Sequence, residues 1–366
     1  MTTFKRLTNN DVVDTRTLLH EAIPITGSIL SGTYSDNNIK EFAHGIFQSV
    51  YDYPYLSSSA NHIFDITAGY SPSSALSAST NEQNSKKINI YNQMAQVLIG
   101  HDSAGNIGRF DLAGATPGTG QEQDKLNDVY IMNFSRLLTK DEIKKGSFEL
   151  ELAVSASSTF DTSGGQFSHR VKLYDKNGSD SYYSNGQVGE YGVLYATSSN
   201  GGSVLTSEDT ECGLLFYQAG IAILSSSVFL KSGGMLTASL FGSEEPKLTA
   251  ADHDVTGSFI SSSINNMADG LRNRIYNLKF NNTTELNSAV YFCRVNNNEF
   301  NYSSNPTYLS GSRIRVKETA RHSPITYITS VGLYSDDNEL LAVAKLSEPI
   351  KKTPENELTL RVRLDY

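Results

Sequence analysis

Nine residues, Leu358 to Tyr366, restrict the possible folds more than any other stretch. Leu358, Leu360, Val362, Leu364 and Tyr366 share one parity, and Thr359, Arg361, Arg363 and Asp365 share the other. A period of two over that length fits a half-buried strand with its apolar side in and its charged side out. Just upstream, the runs Ile325 to Tyr334 and Glu339 to Leu346 flank the turn formers Ser335-Asp336-Asp337-Asn338, which predicts a hairpin. The chain therefore reads as sheet to its last residue, with a packed end and no soluble tail. Such an end favours a scaffold part over a chain built around a mobile active site.

The same period governs most of the chain after Val129. Phe148, Leu150, Leu152 and Val154 alternate with Glu149 and Glu151. Further strand signals, separated by Asn-, Gly- and Ser-rich turns, lie at Arg170 to Tyr174, Tyr191 to Thr197, Leu214 to Phe229, Ile275 to Phe280 and Val290 to Val295. Two short helical readings interrupt them: a capping box at Thr139-Lys140-Asp141-Glu142 and an inserted helix over Thr256 to Leu271. Upstream, a period near 3.6 predicts helices over Asn10 to Ala22, from an N-cap at Ser35 through Ile39, Phe42, Ile46 and Val50, and over Lys86 to Ile99. Ser- and Gly-rich stretches at Ser71 to Ser85 and Ala113 to Gln121 read as loops that order against a partner. The expected fold is mainly β, an antiparallel β-sandwich over 129–366 preceded by a smaller helical, loop-rich assembly region over 1–128.

Composition narrows the function classes. Over 366 residues the chain has 38% hydrophobic content, no Trp, 20 Tyr and 16 Phe, a mix suited to β-rich surfaces and interfaces. A net charge of −9, with no basic run longer than Lys86-Lys87, Lys144-Lys145 or Lys351-Lys352, disfavours nucleic acid as a partner. The alternating Arg313/Arg315/Lys317 and Arg361/Arg363 read as solvated faces or guarded edges. Cys212 and Cys293 each sit in an apolar run, far apart and without a nearby His, and are expected as free thiols, with one disulfide between two strands as the alternative. The first ten residues contain no apolar leader, and Gly213 to Leu230 is too polar for a membrane span, so assembly in a cytoplasm with no membrane partner is expected.

Few residues point to chemistry. Seven scattered histidines form no HExxH; Asp252-His253-Asp254 reads as a turn before Val255 rather than a metal site. The acidic stretches Asp102 to Asn106 and Asp175 to Asp180 lack the glutamate of a calcium loop and read as turns. No phosphate cradle or nucleophile elbow occurs, so neither a cofactor nor a metal is expected. A carboxylate pair of the kind a glycosidase uses would have to be assembled by the fold.

Two segments resemble virion structural proteins of large, contractile-tailed, marine-type bacteriophages. One runs from Val129 to Leu150. The other comprises Asn298 to Pro306 with Tyr327 to Lys345, whose Gly-Leu-Tyr-Ser-Asp-Asp-Asn-Glu-Leu-Leu-Ala-Val-Ala core is similar to hairpins of tail-fibre and baseplate proteins. The resemblance implies a non-enzymatic virion subunit of the tail, baseplate or neck, assembled in the host cytoplasm. Its partners would be other virion proteins in a symmetric, multi-copy assembly. A receptor- or carbohydrate-binding module of a tail fibre is the rival, with Tyr182, Tyr183, Phe300, Tyr302 and Tyr308 as contact residues; a polysaccharide depolymerase is a further one.

Overall fold

The structure, a computed structural model, describes residues 4–21, 36–78, 82–102, 104–112, 122–138, 142–155, 167–237, 245–248, 253–302, 309–310, 313–314 and 324–365. In chain order the first strands are β1 (Val12–Glu21), β2 (Ile39–Glu41), β3 (Gln48–Tyr51), β4 (His62–Tyr70), β5 (Asp128–Asn133) and β6 (Glu142–Ile143). They are followed by β7 (Glu149–Ala153), β8 (Arg170–Tyr174), β9 (Tyr183–Asn185), β10 (Gly189–Asn200), β11 (Thr210–Phe216) and β12 (Ile221–Ser225). The last are β13 (Ile275–Lys279), β14 (Asn282–Val295), β15 (Leu309–Ser310), β16 (Arg313–Ile314), β17 (Thr326–Tyr334), β18 (Leu340–Lys352) and β19 (Leu358–Asp365). Three α-helices are described: α1 (Glu82–Leu98), α2 (Val255–Ser261) and α3 (Ile264–Arg272). The fold is thus mostly β, in antiparallel sheets.

The chain divides into two units, one of His20–Thr284 and one of Met1–Leu19 with Glu285–Tyr366. The larger unit is built on one antiparallel sheet ordered β13-β7-β8-β10-β11-β12-β5-β4-β3-β2, with β9 paired to β10. Its central strands are covered on both faces. In β5, Val129 and Ile131 pack with Ile90, Tyr91, Ala95 and Leu98 of α1, whereas Tyr130 and Met132 join the opposite core with Phe259 and Met267 of α2 and α3. The sheet also curls. Phe134, just past β5, meets the rings of Phe64 on β4, Phe148 before β7 and Phe280 after β13 at centroid distances of 5.8, 5.9 and 5.6 Å. Strands five places apart in the sheet therefore share one core, and each fully buried ring there contributes roughly 1.5–3 kcal/mol.

Helix α1 occupies the predicted place because Asn84, Lys87, Tyr91, Ala95 and Leu98 recur at helical spacing and are all buried. It ends at Gly100, whose φ of +92° is open to glycine. It lies directly on β4 at Gly69, where an added Cβ would stand 2.6 Å from the Lys87 carbonyl oxygen.

Elsewhere in the first third the helical readings are replaced by strands. Within the stretch Asn10 to Ala22, whose last residue lies outside the described residues, a one-turn 3-10 segment (Asn9–Asp11) leads into β1, as suits the β-branched Val12-Val13 and Thr15/Thr17. The 39–50 stretch forms β2 and β3 around Gly45, which at φ +62° cannot continue a helix. Ser71 and Ser74, expected to await a partner, are already buried; Ser74 donates to Asp128 at 2.6 Å. Ala113 to Gln121 lies outside the described residues, as do Thr139 to Asp141; Glu142, the last residue of that capping box, opens β6 instead. The inserted helix is two helices, because Asp254 caps α2 through the Gly257 amide (2.6 Å) and Ser263 starts α3 by accepting from Asn266 (3.2 Å). The 128/129 position falls inside β5, a strand paired on both sides.

The smaller unit carries a sheet ordered β1-β14-β19 and a separate two-stranded ribbon of β17 and β18. β14 begins in the larger unit, where Asn282 and Thr283 pair with β6. From Ser288 to Val295 it pairs with β19 without a register shift. β19 alternates in burial as its sequence predicts, with Val362 buried and Arg361 and Arg363 exposed. The predicted hairpin is β17–β18. Its turn is closed by Ser335 donating to Glu339 (2.9 Å) and by Asn338 at φ +63°.

Candidate interaction surface

Burial separates the two units sharply. Among the described residues, the only buried apolar side chains of the smaller unit are Ala289, Val290, Val295 and Val362, and none belongs to either of the larger unit's hydrophobic clusters. Yet of the sixteen large apolar side chains exposed to solvent among the described residues, ten lie in the smaller unit. Five are on the ribbon: Tyr327, Tyr334, Leu340, Leu341 and Val343, with Leu341 68% exposed. Phe4 lies edge-on to Tyr334 at 4.9 Å. The sequence signal for this was the run Leu-Leu-Ala-Val-Ala, which is apolar at both parities and so cannot present a polar outer face.

The foot of the ribbon is fixed by a buried lysine. Lys352 donates to the Asn297 carbonyl (3.0 Å), the Asn301 side-chain oxygen (2.8 Å) and the Thr353 carbonyl (2.8 Å), so its ammonium is fully satisfied. Thr326 donates to the Phe300 carbonyl at 2.7 Å. Between these ties Phe300 adopts φ +53°, a left-handed conformation unusual for a bulky residue, and its ring remains exposed. Tyr302 follows, also exposed. Arg294 of β14 pairs with Asp11, just before β1, at 2.9 Å, and Thr8 hydrogen bonds hold the Asp11 carboxyl below its usual range.

The five residues singled out in the sequence therefore separate. Phe300 and Tyr302 belong to the smaller unit and Tyr182 and Tyr183 to the larger, while Tyr308 lies outside the described residues. Tyr183 is half-buried and packs against Tyr191 at 5.7 Å, at the margin of the core. Tyr182 is exposed and caps the Lys145 ammonium, 4.3 Å from its ring centroid.

Lys145 also gathers the carboxylates that a hydrolase would need. It pairs with Glu190 and lies 3.8 Å from Glu142. Beside it the buried Asp175 accepts from the Gly146 amide (2.7 Å) and the Tyr217 hydroxyl (2.9 Å). Burial raises the Asp175 pKa. An added Cβ at Gly178 would fall within 2.3 Å of both Asp175 oxygens, and one at Gly192 would fall 2.0 Å from the Tyr217 hydroxyl. Backbone thus fills the space where a substrate would meet Asp175, and the cluster ties the ends of β8, β10 and β11 together.

The remaining acidic motifs close turns. Asp102 accepts from the Ala104 and Asn106 amides at 2.9 and 2.8 Å, and His253 contacts Ser262 at 3.0 Å beside the Asp254 cap. Asp252 is outside the described residues. Cys212 is buried with its thiol on the Leu194 carbonyl, Cys293 is half-buried, and both are free thiols. Among the described residues no helix is long and apolar enough to cross a membrane. Comparison with protein-family models, curated proteins and solved structures finds no match.

Proposed function

We propose that this chain is a non-enzymatic structural subunit of a bacteriophage virion, of the tail, baseplate or neck, acting through contacts with neighbouring subunits. The observation that carries this reading is the imbalance of the smaller unit, which among the described residues buries four apolar side chains and leaves ten large ones in water. Exposed apolar surface of that extent belongs to surfaces that are covered in use. The sequence resemblance of Val129 to Leu150 and Tyr327 to Lys345 supplies the class of particle. The curled sheet of the larger unit, with residues flanking β7 and β13 packed on Phe134 next to β5, supports the sandwich-like scaffold that such a part requires.

A second reading, a receptor- or carbohydrate-binding module, is favoured by one specific feature. Phe300 is held in a left-handed conformation with its ring exposed next to Tyr302, as a contact residue would be. Quantitative mass spectrometry on density-purified particles, with tails separated from heads, tests the first reading. Stoichiometric recovery with tails is expected. Recovery with heads would move the location, and absence from particles would overturn the assignment. Depolymerisation of a polysaccharide by the purified chain would overturn the non-enzymatic part.

A further inference from the structure

Among the described residues, the edges of the smaller unit's longer strands are guarded, with one exception. β1 carries Asp14 and Arg16, and β19 carries Arg361 and Arg363. β18 carries Lys345, Glu348 and Pro349, and both register irregularities of the ribbon put their extra residues in β18, at Leu346 to Pro349 and at Leu341. Charges, proline and bulges are the devices by which native proteins keep an edge from pairing. β17 has none of them. Its nine residues Thr-Tyr-Ile-Thr-Ser-Val-Gly-Leu-Tyr are uncharged and free of proline, they run unbulged, and among the described residues β17 pairs only with β18. A two-stranded ribbon is also marginal by itself and gains stability with further strands.

The charges around β17 select its partner. Asp336, Asp337 and Glu339 stand at the Tyr334 end, whereas Lys351 lies opposite Tyr327 at the other end. We propose that β17 pairs antiparallel with β17 of a second copy, about a two-fold axis near Ser330, giving a four-stranded sheet of two ribbons. Only the antiparallel arrangement brings the acidic end of each ribbon beside the basic end of the other, twice by symmetry. About that axis Ser330 faces its own counterpart, Thr329 faces Val331 and Tyr327 faces Leu333, so no like charges oppose one another. This deepens the reading of the chain as a multi-copy structural part, yet it is measured on the isolated protein. Failure to pair would leave the particle analysis standing, and absence from particles would leave the pairing standing.

Sedimentation equilibrium of the full chain should show a reversible dimer. Ser330→Lys should weaken it roughly tenfold or more, because two exposed cations then face each other across the axis. Mixing Ser330→Lys with Ser330→Glu should restore association. Ser330→Cys should give a reducible covalent dimer under mild oxidation, absent from the parent chain and from Ser347→Cys on the guarded strand. A chain that stays monomeric wherever it is soluble, or a dimer indifferent to Ser330→Lys, would overturn the proposal.

Discussion

In the larger unit four phenylalanines from distant strands meet in one ring cluster, whereas in the smaller unit Tyr327, Leu341 and Val343 face water from a two-stranded ribbon. Both regions are antiparallel sheet, and neither is short of apolar residues. They differ in what covers them. The larger unit supplies its own cover, α1 on one face and α2, α3 and its own far strands on the other. Among the described residues the smaller unit buries only Ala289, Val290, Val295 and Val362 as apolar side chains. An exposed apolar sheet surface gains stability from whatever covers it.

Core substitutions give the widest separation between the two. Phe134→Ala should destabilise the larger unit by about 3–5 kcal/mol, whereas Val362→Ala should cost the smaller unit about 1 kcal/mol or less, both read by denaturant unfolding with hydrogen exchange assigning each unit. Equal losses would mean that the smaller unit has a self-sufficient core, and the comparison would fail. Gly69→Ala comes next, at about 1–3 kcal/mol, because its methyl would strike the α1 backbone and lift the helix off β4.

The buried Lys87 refines the contrast through pH. Its ammonium donates to the Phe259 carbonyl at 2.7 Å, near the end of α2, and burial lowers its pKa to about 8. Between about 8 and the ordinary 10.5 the unfolded chain holds more protons than the folded one. Stability of the larger unit should therefore rise with pH across that window, by order 2 kcal/mol, and Lys87→Met should flatten the rise. The smallest effect belongs to Leu341→Ser, which should leave the unfolding of the isolated chain within about 0.5 kcal/mol of the parent. A large loss there would show that the ribbon is packed after all.

Much of the β architecture was legible because alternation is a local signal. β7, β8, β13, β17 and β19 fall where the period of two places them, and α1 where the period of 3.6 does. The misreadings share a cause. Ile39, Phe42, Ile46 and Val50 match a helical stripe, but the same spacing serves two short strands once Gly45 turns the chain, and apolar spacing alone does not distinguish them. The candidate surface was only partly visible. Phe300 and Tyr302 stand out in the sequence as aromatics, whereas Leu340 to Val343 read as ordinary strand, since exposure depends on what the rest of the chain leaves uncovered. The partition into units was not readable at all, because it rests on β1 joining β14 across more than 260 residues.

That pairing has an architectural consequence. β1 and β14 are neighbours in one sheet, and the entire larger unit is spliced between them. Adjacent strands lie about 4.8 Å apart, so the chain leaves the small sheet and returns to it at almost the same place. A module joined to its host through two adjacent strands behaves as a cassette. It can diverge, grow or be exchanged for another fold while the three-strand order of the host sheet is unchanged. On this topology the 101 residues outside the cassette form the host, and the larger unit is an insertion into it.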